Sequence, residues 1–143
     1  MIYSNNTRKA IIFMYNKHKG QLDKSGIPYV FHPYEVAESM DDENSTIVAL
    51  LHDILEDTDT TEEEIIALNF DEEVIKALRL LNHDKTVDYF EYIKKIKTNP
   101  LATKVKLSDL KHNSNLSRLE IIKEKDLERV KKYEESIKIL ELK

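Results

Sequence analysis

The chain of 143 residues has no cysteine, no tryptophan, three prolines and two glycines. Without cysteine it can form no disulfide framework, thiolate zinc site, iron–sulfur cluster or thiol nucleophile, and the cytosol is its expected compartment. Gly20 and Gly26 lie in one polar stretch and cannot supply a Walker or dinucleotide-binding phosphate loop. No apolar run approaches the ~18 residues of a membrane helix, so no membrane partner is expected. Residues 1–22 lack acids and set Arg8 and Lys9 before Ala-Ile-Ile-Phe-Met-Tyr. That run is too short for a signal sequence and no small-residue cleavage site follows, which favours an ordinary first helix.

Lysine and arginine are also missing from residues 25–75, which hold fifteen Asp and Glu. Residues 1–24 carry a net +4 and residues 76–143 a net +6, so the formal charge of −5 conceals an acidic middle between basic ends. Such a middle repels phosphates, and no stable nucleic-acid binding is expected of it.

What is present is helical periodicity almost throughout. Residues 7–18 put Ile11, Ile12, Met14 and Tyr15 on one face, and residues 19–31 form the main irregular loop. Pro33 opens a helix to about Met40. Ser45 is the expected N-cap of a largely buried helix over Ile47–Leu55. Thr60-Thr61-Glu62-Glu63-Glu64 opens a short helix to Leu68. Asp71 and Thr86 are expected to cap the next two, ending near Leu81 and Lys97. Pro100 starts another, and a last helix spans about 126–141 with Leu127, Val130, Tyr133, Ile137 and Leu140 facing inward. No strand is expected. The chain reads as one all-α domain over 1–143, a bundle of roughly seven to eight helices.

The chemistry concentrates in His52-Asp53-Ile54-Leu55-Glu56-Asp57. On one helix, His52 lies above Glu56, and Asp53 above Glu56 and Asp57. Burying unpaired charge is costly, so such a cluster binds a metal, meets a basic partner or lies wet at a helix end. His32, in Phe31-His32-Pro33, and Asp109, on an apolar-faced helix, extend the set. His32, His52, Asp53 and Asp109 offer two nitrogens and two oxygens suited to one Mn²⁺, Fe²⁺, Zn²⁺ or Mg²⁺, with positions left for water and phosphate. The matching chemistry is metal-assisted hydrolysis, with a neighbouring carboxylate as proton acceptor.

The ordered motifs resemble the HD-domain phosphohydrolase superfamily. They are most similar to the (p)ppGpp hydrolase domain of RelA/SpoT enzymes and their small stand-alone relatives. The residues carrying this are His18-Lys19-Gly20-Gln21, Lys24-Ser25-Gly26-Ile27-Pro28-Tyr29, His32-Pro33 with Val36-Ala37, Leu50-Leu51-His52-Asp53-Ile54-Leu55-Glu56-Asp57-Thr58, and Lys106-Leu107-Ser108-Asp109 with His112-Asn113. The match covers most of residues 13–119. It implies a compact helical domain holding one Mn²⁺ through His32, His52, Asp53 and Asp109, with Glu56 and Asp57 positioning or activating the attacking water. Lys24, Ser25 and Asn113 are implied to line the nucleotide pocket, and the implied reaction removes the 3′-pyrophosphate of (p)ppGpp. Two positions depart from the pattern. Asp23 stands where the family commonly has a basic residue that stacks or clamps guanine, and Leu110 stands in place of an Arg near the metal.

Those departures keep two alternatives open: a nucleotide or NADPH phosphatase or RNA 3′-end pyrophosphate hydrolase with the same metal chemistry, and a non-enzymatic helical module recruiting a basic partner. Other residues have plainer expected roles. His18 is read as satisfying helix carbonyls, and His83-Asp84 as a decoy pair. His112 either orients a ligand or packs in the core. Tyr89, Phe90, Tyr92 and Ile93 are read as core rather than a base platform. Lys104, Lys106 and Lys111 are each read as surface, although Lys106 or Lys111 could join Lys24 in clamping phosphate.

Overall fold

The computed structural model describes residues 1–142 and contains α-helices with no strand among the described residues. The order is α1 (Asn5–His18), α2 (Phe31–Glu38), α3 (Glu43–Leu51), α4 (Ile54–Asp57), α5 (Glu62–Ile66), α6 (Glu72–Leu81), α7 (Tyr89–Lys97), α8 (Pro100–Asn113) and α9 (Glu124–Glu141). The all-α reading holds; the count exceeds seven to eight because the helix expected through residue 55 is broken into α3 and α4. At the break, the His52 ring bonds the Ala49 carbonyl at 2.6 Å, taking the acceptor that the Asp53 N–H would use in a continuous helix. Asp53 accordingly leaves helical geometry, with φ −102° and ψ 1°.

Helix α3 is the hub. Every residue from Ser45 to Leu51 is buried, and α1, α2, α6 and α8 pack around it. Helix α9 closes the far side against α7 and α8. Two expected caps shift. Asp42, not Ser45, caps α3, its carboxylate accepting the Ser45 N–H at 2.8 Å, and Ser45 is buried inside the first turn. Asp88, not Thr86, caps α7 by accepting from Phe90 and Glu91, while Thr86 is held in a turn by Asp84.

The inner face of α1 also differs from expectation. Thr7, Ala10, Met14 and His18 are buried at helical spacing, whereas Ile12 and Tyr15 are 61% and 49% exposed. His18, the last residue of α1, is fully buried and meets the Gln21 side chain at 2.8 Å through Nδ1 rather than a helix carbonyl, and its ring packs on Tyr29. On α9, Leu140 is buried, whereas Leu127 is exposed.

The α1–α2 loop is ordered by its own backbone. Asp23 Oδ1 accepts the N–H groups of Ser25 and Ile27 at 2.8 and 3.0 Å, and an isolated bridge pairs Leu22 with Pro28. Gly26, at φ +78°, makes the turn between them.

Candidate metal centre and its cavity

Four helical segments meet where α3 ends. His32 comes from α2, His52 from the end of α3, Asp53 from the break before α4, and Asp109 from α8. Their ligand atoms all lie within 4.8 Å of one another, and His32, His52 and Asp109 are buried. His32 Nε2 and His52 Nε2 lie 2.8 and 3.2 Å from Asp109 Oδ1, and 3.8 and 3.1 Å from Asp53 Oδ2. Bonds of about 2.0–2.2 Å from a common cation require donors roughly 3–3.5 Å apart, so this spacing suits one divalent ion.

Hydrogen bonding also presents the correct nitrogens. The Ala49 carbonyl can only accept, so His52 Nδ1 carries hydrogen and Nε2 faces the carboxylates. His32 Nδ1 lies 2.6 Å from His112 Nδ1, and His112 Nε2 contacts the Glu35 carboxylate. A His112 N–H donated to Glu35 leaves its Nδ1 to accept from His32 Nδ1–H, which frees His32 Nε2 for a cation. His112 therefore orients a candidate ligand.

The carboxylates are held as firmly. Asp109 Oδ1 accepts from Asn113 at 3.0 Å as well as facing both imidazoles, and Oδ2 accepts from Lys106 at 2.9 Å. The Tyr29 hydroxyl donates to Asp53 Oδ2. Burial alone would push Asp109 upward, but Lys106 and then His52 hold its carboxyl well below the usual range. Burial likewise opposes charge on His52, yet Asp53 and Asp109 raise its pKa well above the ordinary histidine value. Against burial, His52 holds Asp53 at about 2. The cluster is thus a place that attracts positive charge.

Glu56 and Asp57 part company. Glu56 accepts the His83 N–H at 3.1 Å and pairs with Lys85 at 3.0 Å. The Asp57 carboxylate has no hydrogen-bond partner among the described residues, and desolvation followed by Asp53 and Glu56 raises its pKa to about 6. His83 lines the cavity without joining the ligand cluster; its ring stacks on Tyr92 and bonds the Val87 carbonyl.

His32, Asp53 and Asp109 of the cluster line a cavity of about 710 Å³. Lys24, Ser25 and Asn113 all line it, as do Arg118, Arg129 and Lys132, which the motifs did not single out. Lys106 is not open surface: its side chain, 12% exposed, lies between Asp109 and the Tyr92 ring, 5.4 Å from the ring centre. Its spacing of three residues from Asp109 on one helix was the available signal. Lys111 takes no part, being exposed and 3.6 Å from Glu141, and Lys104 pairs with Asp41 and Asp42 on the surface. Ile93 is core as expected, but Tyr89 and Tyr92 also line the cavity.

The model of the HD domain matches residues 10–137. The chain belongs to the HD-domain family. Among relatives of this HD domain, a GTP pyrophosphokinase of Myxococcus xanthus is 49% identical over 65 residues, covering 43% of this chain and 9% of that protein. A guanosine-3′,5′-bis(diphosphate) 3′-pyrophosphohydrolase of Borreliella burgdorferi is 42% identical over 74 residues, covering 49% of this chain and 11% of that protein. The chain therefore spans about a tenth of the length of these relatives. A solved structure, described as a metazoan ortholog of SpoT that hydrolyzes ppGpp, superposes with a TM-score of 0.77. It is 23% identical and the match covers 99% of this chain and 88% of that one, which shows a common HD-domain fold. Among the described residues, no helix is long and apolar enough to cross a membrane.

Proposed function

We propose that residues 1–143 act as one metal-dependent phosphohydrolase unit that removes the 3′-pyrophosphate of (p)ppGpp in the cytoplasm. The observation that carries this is a largely buried two-histidine, two-carboxylate cluster beside an unpaired Asp57, on a nucleotide-sized cavity that Lys24, Arg118, Arg129 and Lys132 also line. The relatives named for (p)ppGpp hydrolysis supply the substrate class.

In this reading His32, His52, Asp53 and Asp109 hold the ion, with Mn²⁺ the first choice. The bound ion supplies Lewis-acid polarisation of phosphate and lowers the pKa of water. Asp57 is the general base, since a carboxylate near 6 is ionised at neutral pH yet basic enough to accept the proton of the attacking water. Glu56, tethered to His83 and Lys85, positions the water. Asn113 steadies Asp109 from within the cavity, and Lys24 and Ser25 face the departing or retained phosphates. Water adds to the phosphorus on the 3′ oxygen, the bond from that oxygen to phosphorus breaks, and pyrophosphate leaves with the nucleoside 3′-hydroxyl restored.

Asp23, an acid where the resembled pattern has a cation, motivates the second reading, a different nucleotide, NADPH or an RNA 3′ end on the same metal chemistry. Turnover of ppGpp, other nucleotides, NADPH and modified RNA ends by Mn²⁺-loaded protein tests both. The highest kcat/KM is expected for ppGpp, with loss in Asp53→Ala and Asp109→Ala. Turnover persisting in either variant overturns the mechanism, and full metal occupancy without turnover of any substrate favours a binding module.

A further inference from the structure

We propose that Arg118, pinned by Asp23, is the residue that reads the base in this cavity, and that guanine is the base it takes. This rests on the cavity being a nucleotide site.

Arg118 lies between α8 and α9, 95 positions from Asp23, and its Nη1 donates to Asp23 Oδ2 at 3.1 Å. The other Asp23 oxygen is committed to Ser25 and Ile27, so one carboxylate ties the guanidinium to the α1–α2 loop. The Arg118 side chain is 29% exposed and lines the cavity. Its Nε–H is buried without any hydrogen-bond partner among the described residues. Buried donors in native proteins are nearly always paired, so a guanidinium with an idle donor at a cavity wall is one a bound acceptor completes.

The surroundings separate base from phosphate. Leu22, Leu116 and Leu119 line the cavity with Arg118. The other cations of the lining come from different places in the chain: Lys24 follows Asp23 on the α1–α2 loop, and Arg129 and Lys132 stand on α9, Arg129 paired with Asp126 at 2.8 Å. Asp23 offsets the charge on Arg118 and would lie against any phosphate placed there. A neutral flat ring with apolar faces suits the leucines, and its acceptor edge suits the N–H donors. Guanine presents O6 and N7 together as acceptors for an arginine fork, whereas adenine opposes that fork with its N6 donor. The cation that the motif lacks at position 23 is delivered from position 118 instead.

The test is calorimetric binding of GDP, ADP and inorganic pyrophosphate to the Mn²⁺-loaded wild type, Arg118→Ala, Arg118→Lys and Asp23→Asn. The wild type is expected to prefer GDP over ADP by about tenfold or more, the scale of one good base contact. Arg118→Ala and Arg118→Lys should erase that preference while pyrophosphate binds as in the wild type, and Asp23→Asn should reduce it. Equal loss of pyrophosphate and GDP binding in Arg118→Ala, an unchanged preference in Arg118→Lys, or no preference in the wild type overturns the proposal. Guanine-selective binding without hydrolysis would sink the proposed function and leave this assignment standing.

Discussion

The acidic cluster and the basic lining of the cavity are built by opposite means. The acidic cluster is rigid and dry: His32, His52 and Asp109 are at most 5% exposed, stand on or beside helices, and make several mutual hydrogen bonds. The basic lining is wet and assembled from separate segments: Lys24 sits on the α1–α2 loop, and Arg129 and Lys132 on the late helix α9. Charge at the acidic cluster is costly without a counter-charge, which Lys106 and His52 supply. Charge on the basic lining is solvated and cheap to rearrange. A site that holds an ion in fixed geometry needs the first construction, and one that admits and releases a large anion needs the second.

The largest expected effect comes from Asp109→Ala. It removes the carboxylate that accepts from Asn113 and Lys106 and faces both imidazoles, and leaves Lys106 an unpaired cation only 12% exposed, for a loss of about 3–5 kcal/mol in denaturant unfolding. Metal analysis should find no stoichiometric ion, and a retained ion would break the comparison. Conversely, Mn²⁺ at 100-fold above its Kd should add about 2.7 kcal/mol to the wild type and nothing to Asp109→Ala, read by thermal unfolding.

Asp57→Asn should lower kcat by about 10²–10⁴-fold, the range of one general base. The same change should stabilise the metal-free protein at pH 7 by about 1 kcal/mol, after discounting for an exposed side chain. The folded-state carboxyl is raised to about 6 from 3.8, so stability held below 3.8 is lost as pH rises through 6. The stability gain of Asp57→Asn should therefore vanish below about pH 4; a gain that persists there means packing, not charge, explains it.

On the basic lining the effects are smaller. Lys24→Ala should raise KM about tenfold at low salt with kcat nearly unchanged, and the gap should narrow as salt rises. Lys111→Ala should change stability by less than about 0.5 kcal/mol and leave kcat/KM unaltered, because Lys111 only pairs on the surface. An effect of Lys111 as large as that of Lys24 would erase the distinction between cavity and surface cations.

Much of the acidic cluster could be read locally. The His-Asp dipeptide, the distant His32 and Asp109, and the helical pattern around them are matters of residue type and spacing. The break at His52–Asp53 was less accessible, because it depends on a ring competing for the Ala49 carbonyl. Caps slipped by two or three residues where several polar side chains vied for the same N–H groups, as Asp42 and Ser45 did. The Glu35–His112–His32 chain and the Asp23–Arg118 pair span 77 to 95 positions between their distant members and leave no local trace.

Residue order alone carries an all-α chain, an acidic middle between basic ends, and the four side chains able to share a cation. Only the tertiary structure decided which of two adjacent carboxylates is tethered and which has its pKa raised, which lysine meets Asp109 and which is surface, and which cations line the cavity. Residue type and helical period are carried by neighbours in the chain, whereas desolvation and charge pairing depend on partners brought together from far along it.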